Sequence, residues 1–145
     1  ITGGSVNKNA GQAVVYFQGQ ALRDCAVALM LSGDFTVSLS GRRAKDNDAV
    51  IRTAREGAAE ALAHFHGKPI GVLAFNCAGR RSKLDKMEDE LTAIQKSLGK
   101  DLPLFGCYCA GEIGPVDASE KKEGVLSGGT GWHVMFTIIG RPSAE

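Results

Sequence analysis

"GVLAFNCAGRRSKLDKMEDELTAIQKSLGKDLPLFGCYCAGEIGP", residues 71–115, decides the fold. It opens as an apolar run, passes a Cys-Ala-Gly turn, changes to helical period, and closes in a second apolar run with a second Cys-Ala-Gly turn. With its two preceding residues, the first run, PIGVLAFNC (69–77), has the apolar continuity of a strand buried on both faces. Leu84, Met87, Leu91, Ile94 and Leu98 then recur at steps of three and four, and Gly99 supplies a stop. Ser82 stands three residues before Asp85, close to a capping box, so the spacing predicts a helix over 83–98. LPLFGCYC (102–109) supplies the next strand. Strand, helix and strand of these lengths imply parallel neighbours joined by a right-handed crossover.

Upstream, QAVVYFQGQALRDCAVALMLSGDFTVSLSG (12–41) reads as consecutive strands punctuated by Gly19 and by Ser32-Gly33-Asp34. Phe35 to Ser40 alternates apolar and polar, the pattern of a strand with one face toward solvent. DNDAVIRTAREGAAEALAHFHG (46–67) changes to helical period, with Ile51, Ala54, Ala58, Ala61 or Leu62, and Phe65 on one face. Asp46, Asn47 or Asp48 can cap it, and Gly67 with Pro69 ends it. Downstream, 110–131 reads as a long irregular loop, and WHVMFTII (132–139) closes the chain as a strand. The expected architecture is α/β, with α+β the alternative: one domain over 1–145, with a mixed sheet and two helices in the order β-β-β-α-β-α-β-β.

Composition narrows the function classes. The 145 residues suffice for a core without metal or disulfide staples. The formal net charge is +1, and the basic runs GRRAK (41–45) and GRRSK (79–83) are too short for a nucleic-acid or anionic-membrane surface. No apolar stretch approaches the roughly 18 residues of a membrane span. The opening ITGGSVNKN has neither a basic nor an apolar leader region. It also lacks methionine, so the chain is expected to be trimmed or cut from something longer. Cys25, Cys77, Cys107 and Cys109 have no disulfide-framework or zinc spacing, which suits a reducing, cytoplasmic setting. Cys107 and Cys109 are read as pointing to opposite faces of their strand.

If 70–76 and 103–109 are parallel neighbours, their Cys-Ala-Gly turns meet outside the strand ends, where open α/β sheets bind ligands. Gly79 and Gly111 permit close backbone approach. Arg80 can fork onto a carboxylate, and Glu112 can accept from an ammonium, so the two could hold an amino acid by both ends. The plainer alternative is that the glycines only form turns and Arg80 pairs with Glu112 at the surface. Cys77 or Cys109 as a nucleophile would define a thiol enzyme, yet His64, His66 and His133 have no spacing that marks a base. SGGTG (127–131) lacks the lysine and helix of a phosphate loop. Trp132 and Tyr108 can be core or an aromatic wall.

LAFNCAGR (73–80) and LFGCYCAGEIGP (104–115), separated by a helix and followed by WHVMFTII, resemble the C-terminal part of the FIST family of bacterial sensory domains. The resemblance covers about residues 35–140, and the first thirty residues resemble part of the family's N-terminal region. Full-length members are more than twice this long, so the chain reads as a fragment or a minimal version. The resemblance implies a cytoplasmic sensory module for a small ligand, with amino acids proposed for the family and no catalysis. It also implies partnership with histidine kinases, cyclases or chemoreceptors, and no nucleic-acid or membrane partner. Carried onto this chain, the resemblance gives Cys77, Arg80, Gly111, Glu112 and Gly114, and with Gly79, Tyr108 and Cys109 of the two turns these form the expected ligand-binding set. No cofactor or metal is assigned. Some related proteins bind haem, for which His133 or His64 would be the ligand to test. A half-size unit is expected to complete its pocket as a homo-oligomer.

Overall fold

A computed structural model describes residues 1–6, 13–125 and 128–143. Its centre is a four-stranded mixed sheet of order β4-β9-β5-β6. The strands are β4 (Thr36–Arg43), β5 (Lys68–Cys77), β6 (Leu104–Cys109) and β9 (His133–Arg141). β5 and β6 are parallel, with Val72 opposite Leu104 and Cys77 opposite Cys109, and β9 runs antiparallel between β4 and β5. The strand–helix–strand unit read from residues 71–115 is therefore present, as is the mixed sheet with two main helices.

Helices α1 (Asn47–Ala63) and α3 (Glu88–Leu98) lie against one face of this sheet. Ala54, Ala58 and Ala61 of α1 and Ile94 and Leu98 of α3 meet Val72, Ala74, Val134, Phe136 and Ile138 in a single core. Small residues on α1 let the helix approach closely. A side-chain carbon at Gly57 would already crowd Phe136 and Arg42. Ser38 and Ser40 of β4 tie the two layers by donating to the carbonyls of Ala61 and Gly57. Asp46 caps α1 by accepting from the Ala49 N–H, one of the three candidates expected.

Four expectations are corrected. The helix expected over 83–98 begins only at Glu88, as α3; a separate single turn, α2 (Ala78–Arg81), precedes it and delivers Arg80 to Glu90 of α3 across the non-helical residues 82–87. The acidic triplet Glu88, Asp89 and Glu90 then occupies the first turn, where the helix dipole favours negative charge. β5 is buried along its length only on its helix side, where Val72, Ala74 and Asn76 are buried; on the other face Leu73 and Phe75 are half-exposed and only Cys77, at the strand end, is buried. The apolar run CAVALML (25–31) forms no strand and stands exposed, and only β2 (Val15–Phe17) and β3 (Gln20–Leu22) pair upstream. The segment 110–131 contains β7 (Gly111–Gly114), a 3-10 turn at Ala118–Glu120 and β8 (Gly128–Thr130). β7 sits between β8 and β1 (Gly3–Ser5) in a small second sheet. The loop candidate 127–131 is thus partly strand, with residue 127 outside the described residues.

That small sheet covers one corner of the main sheet's second face. Ala110 N–H donates to the Ser5 carbonyl at 2.9 Å, and Gly4 lies over Cys109 and Phe75, leaving no room for a side chain there. The remainder of this face exposes Val37, Leu39 and Phe105.

Candidate functional site

The two Cys-Ala-Gly turns lie side by side, since Cys77 and Cys109 are direct partners in the parallel ladder. Around them the expected site residues separate into two groups, one on each face of the sheet.

On the helix face stand Arg80 and Tyr108. Arg80 is wholly buried. Its Nε and Nη2 donate to Glu90 Oε1 at 2.9 and 2.8 Å, and Nη2 also reaches the Val50 carbonyl and Thr53 Oγ1. Tyr108 donates to the other carboxylate oxygen of Glu90 at 2.9 Å. Burial, with the Glu90 charge beside it, raises the phenol above its usual pKa. The Arg81 guanidinium stands 5.7 Å from the centre of the Tyr108 ring. Arg80 thus pairs with Glu90, a residue absent from the expected set, and only its Nη1 lacks a partner among the described residues.

Beside this network lies a cavity of ≈ 460 Å³, open to solvent, between α3 and the β5–β6 ladder. Ala74, Ile94 and Leu104 form its apolar wall, and Met87 and Leu91 border it from α3. Helical period assigns Met87 and Leu91 to the core, yet they remain 53% and 48% exposed because the space beneath them is empty of side chains. Polar groups converge at one side: Tyr108, Asn76, and Glu88 from the first turn of α3. Asn76 is only 7% exposed, and its Oδ1 is buried without a partner among the described residues. A buried orphan acceptor costs about 1–3 kcal/mol unless a donor reaches it. Ligand pockets of this character are concave, mostly apolar and carry a few placed polar groups, and volumes run from roughly 300 to 1,000 Å³.

On the opposite face stand Cys77, Cys109 and Glu112. Glu112 is wholly buried, accepts from the His133 backbone N–H at 3.2 Å, and leaves Oε1 unpartnered among the described residues. Burial holds its carboxyl above the usual carboxylate range, against the opposing pull of the His133 N–H, the Cys77 thiol and the Arg80 charge. Cys109 is buried, and desolvation together with the neighbouring Cys107 pushes its thiol up to about 12. Cys107 and Cys109 share a face, contrary to expectation. Residues two apart on a strand point the same way, and their sulfurs lie 3.5 Å apart.

The glycines have separate roles. Gly79 receives the Trp132 ring against its backbone, so the ring packs on the single turn α2. Trp132 holds a left-handed backbone, φ 68°, with the Lys45 and Lys83 ammoniums 5.3 and 5.9 Å from the ring centre. Gly111 pairs with Ser5, and Gly114 packs against Met135. His133 is buried, with Nδ1 against the Gly131 carbonyl and Nε2 3.3 Å from Glu120, while His64 is the exposed C-cap of α1. Neither histidine lines the cavity, so the residues present do not fit an axially ligated haem there.

Sequence reasoning missed Glu90 and Asn76. Both carried a signal: each is a polar residue at an inward position of an apolar period, Glu90 between Met87 and Ile94, and Asn76 after Val72 and Ala74.

The family model of the FIST C domain matches residues 21–115. The chain belongs to the FIST C domain family. FIST domains are a family of sensory domains, and the matched segment contains the βαβ unit. The chain is also similar to an uncharacterized protein of Mycobacterium tuberculosis strain H37Rv, 38% identical over 89 residues. A protein of Mycobacterium bovis, likewise uncharacterized, is 35% identical over 90 residues. Each match covers 61% of this chain and 22% of the relative, so the shared segment is about a fifth of the relatives' length. No helix among the described residues is long and apolar enough to cross a membrane.

Proposed function

We propose that this FIST domain is a cytoplasmic signalling module that binds a small ligand in the cavity beneath α3, without chemistry upon it. The observation that carries this reading is the ≈ 460 Å³ cavity, bordered by half-exposed Met87 and Leu91, with Asn76, Glu88 and Tyr108 among its lining residues. An amino acid with an apolar side chain suits it. The side chain fills the space among Ala74, Leu91, Ile94 and Leu104, and the ammonium faces the Glu88 carboxylate. In this reading Arg80 does not touch the ligand. With Glu90 it holds Tyr108 in place, and α3 transmits occupancy.

A histidine kinase, cyclase or chemoreceptor is the output partner that family membership suggests, and assembly into a homo-oligomer is the way a shortened unit would complete its pocket. Cys77 of the first turn, with Cys109, Gly111, Glu112 and Gly114 of the second turn and β7, supports the cavity from the far face in this account, and Gly79 seats Trp132. The competing thiol-enzyme reading needs a thiolate. Burial of Cys109, with its thiol pushed up to about 12, speaks against one at neutral pH.

Thermal unfolding against a panel of amino acids tests the proposal, with Leu91→Trp as the cavity-filling variant. At 100 times its dissociation constant a true ligand stabilises by about 2.7 kcal/mol, roughly 5–10 °C for a domain of this size. The shift is expected for apolar amino acids in the parent chain and is absent in Leu91→Trp. An equal shift in both would remove the cavity from the account.

A further inference from the structure

The second face of β6 holds a pair of thiols that the cavity reading does not use. Cys107 is exposed and Cys109 is buried beneath Gly4 of β1, yet their sulfurs are 3.5 Å apart. Cys77 lies beside Cys109 on the neighbouring strand and is itself buried. The pair therefore has one open approach, past Cys107.

Geometry selects what such a pair can do. Two residues apart on an extended strand, the two Cα atoms are separated by about 6.6 Å, at ~3.3 Å per residue. That is the far end of the range that a disulfide spans, and closing the sulfurs to ~2.05 Å would pull β6 out of its ladder with β5. A third atom bonded to both sulfurs needs no such closure. With bonds near 2.3 Å, as in metal–thiolate contacts, a 3.5 Å sulfur separation corresponds to an angle of about 100° at the bridging atom. Pyramidal trivalent metalloids and soft metal ions accept that angle.

The geometry points to Cys107 and Cys109 as a chelating dithiol site for a soft thiophilic centre, of which a trivalent organoarsenical is the model. Capture of an arsine oxide is a condensation. Two arsenic–sulfur bonds form, the arsenic–oxygen bond breaks, and the oxygen leaves as one water carrying both thiol protons. Nothing is oxidised or reduced, so no co-reactant is needed. Binding here fixes the free side of β6, the strand that also carries Tyr108 toward the ligand cavity, and so gives the module a second input.

The test uses the full reduced chain and phenylarsine oxide, with intact-mass measurement in the presence of excess monothiol. One equivalent is expected to survive the monothiol and to be released by 2,3-dimercaptopropanol. Cys107→Ser and Cys109→Ser should each weaken retention at least about 100-fold, the difference between chelation and a single contact. Cys25→Ser, which removes an exposed thiol remote in sequence, should leave it unchanged. Because Cys107 is exposed, its serine variant keeps the fold and decides the matter even if Cys109→Ser does not fold. Retention at parent strength in Cys107→Ser, or no retention by the folded parent, overturns the proposal.

Discussion

At the scale of single residues, two wholly buried charges, Arg80 and Glu112, meet opposite fates. Arg80 is compensated by Glu90, Thr53 and the Val50 carbonyl, whereas Glu112 is satisfied at one oxygen alone. Arg80→Ala leaves the Glu90 carboxylate buried without its cation, and breaking such a pair costs about 3–5 kcal/mol. Denaturant unfolding should show that loss, with most of it recovered when Glu90→Leu is added. A loss under about 1 kcal/mol would mean that the pair is solvated. Glu112 behaves differently. Its folded pKa is raised, so its contribution to stability is present below the ordinary carboxylate pKa and is lost as pH rises through the raised value. Glu112→Gln is therefore expected to raise the Tm at pH 7 by roughly 3 °C, on the order of 1 kcal/mol for an ill-satisfied buried group. That gain should shrink toward pH 4. A gain that is constant with pH would contradict the assignment.

At the scale of elements, β1 is the part whose placement depends on a single atom that is missing. A side-chain carbon at Gly4 would collide with Cys109 Sγ, so Gly4→Ala should unseat β1 from β7 and uncover Cys109. Alkylation of Cys109 by a maleimide is then expected to accelerate at least about tenfold as local opening becomes cheaper. No change would mean that β1 does not guard the thiol. Several elements were legible in the sequence because their periods are long and regular. The βαβ run of 71–109, the helix beginning near Asn47 and the closing strand at 133–141 all carry that signal. Others were not. β7 and β8 are mostly glycine, which supplies no alternation to read. CAVALML has strand composition but finds no strand partner among the described residues, and composition does not report partners. The Arg80–Glu90 pair spans ten residues across a bend, outside the i, i+4 spacing by which helical pairs are recognised. The side-by-side Cys-Ala-Gly turns were legible because a parallel register aligns strand ends; the cavity was not, because period alone cannot tell a packed leucine from one bordering a void.

At the scale of the whole molecule, two layers carry separable duties. The helix layer contributes the common core and, where Met87 and Leu91 outreach it, the cavity. The other face is half-covered by the small sheet, and it presents Val37, Leu39 and Phe105 to its surroundings. If copies associate through this apolar face, as proposed for the oligomer, Phe105→Glu should lower the mass seen by sedimentation at micromolar protein without altering the Tm shift given by a cavity ligand. Loss of that shift together with association would tie the cavity to the interface.

The central claim is that a ligand sits beneath α3, and the chain supplies its own reporters. Of its three methionines, Met87 borders the cavity, Met135 is fully buried and Met30 is exposed. With ¹³C-methyl labelling, titration of the amino acid that stabilises the chain is expected to move the Met87 signal saturably while Met30 stays fixed. A stabilising ligand that leaves Met87 unmoved would place the binding site elsewhere and contradict the account.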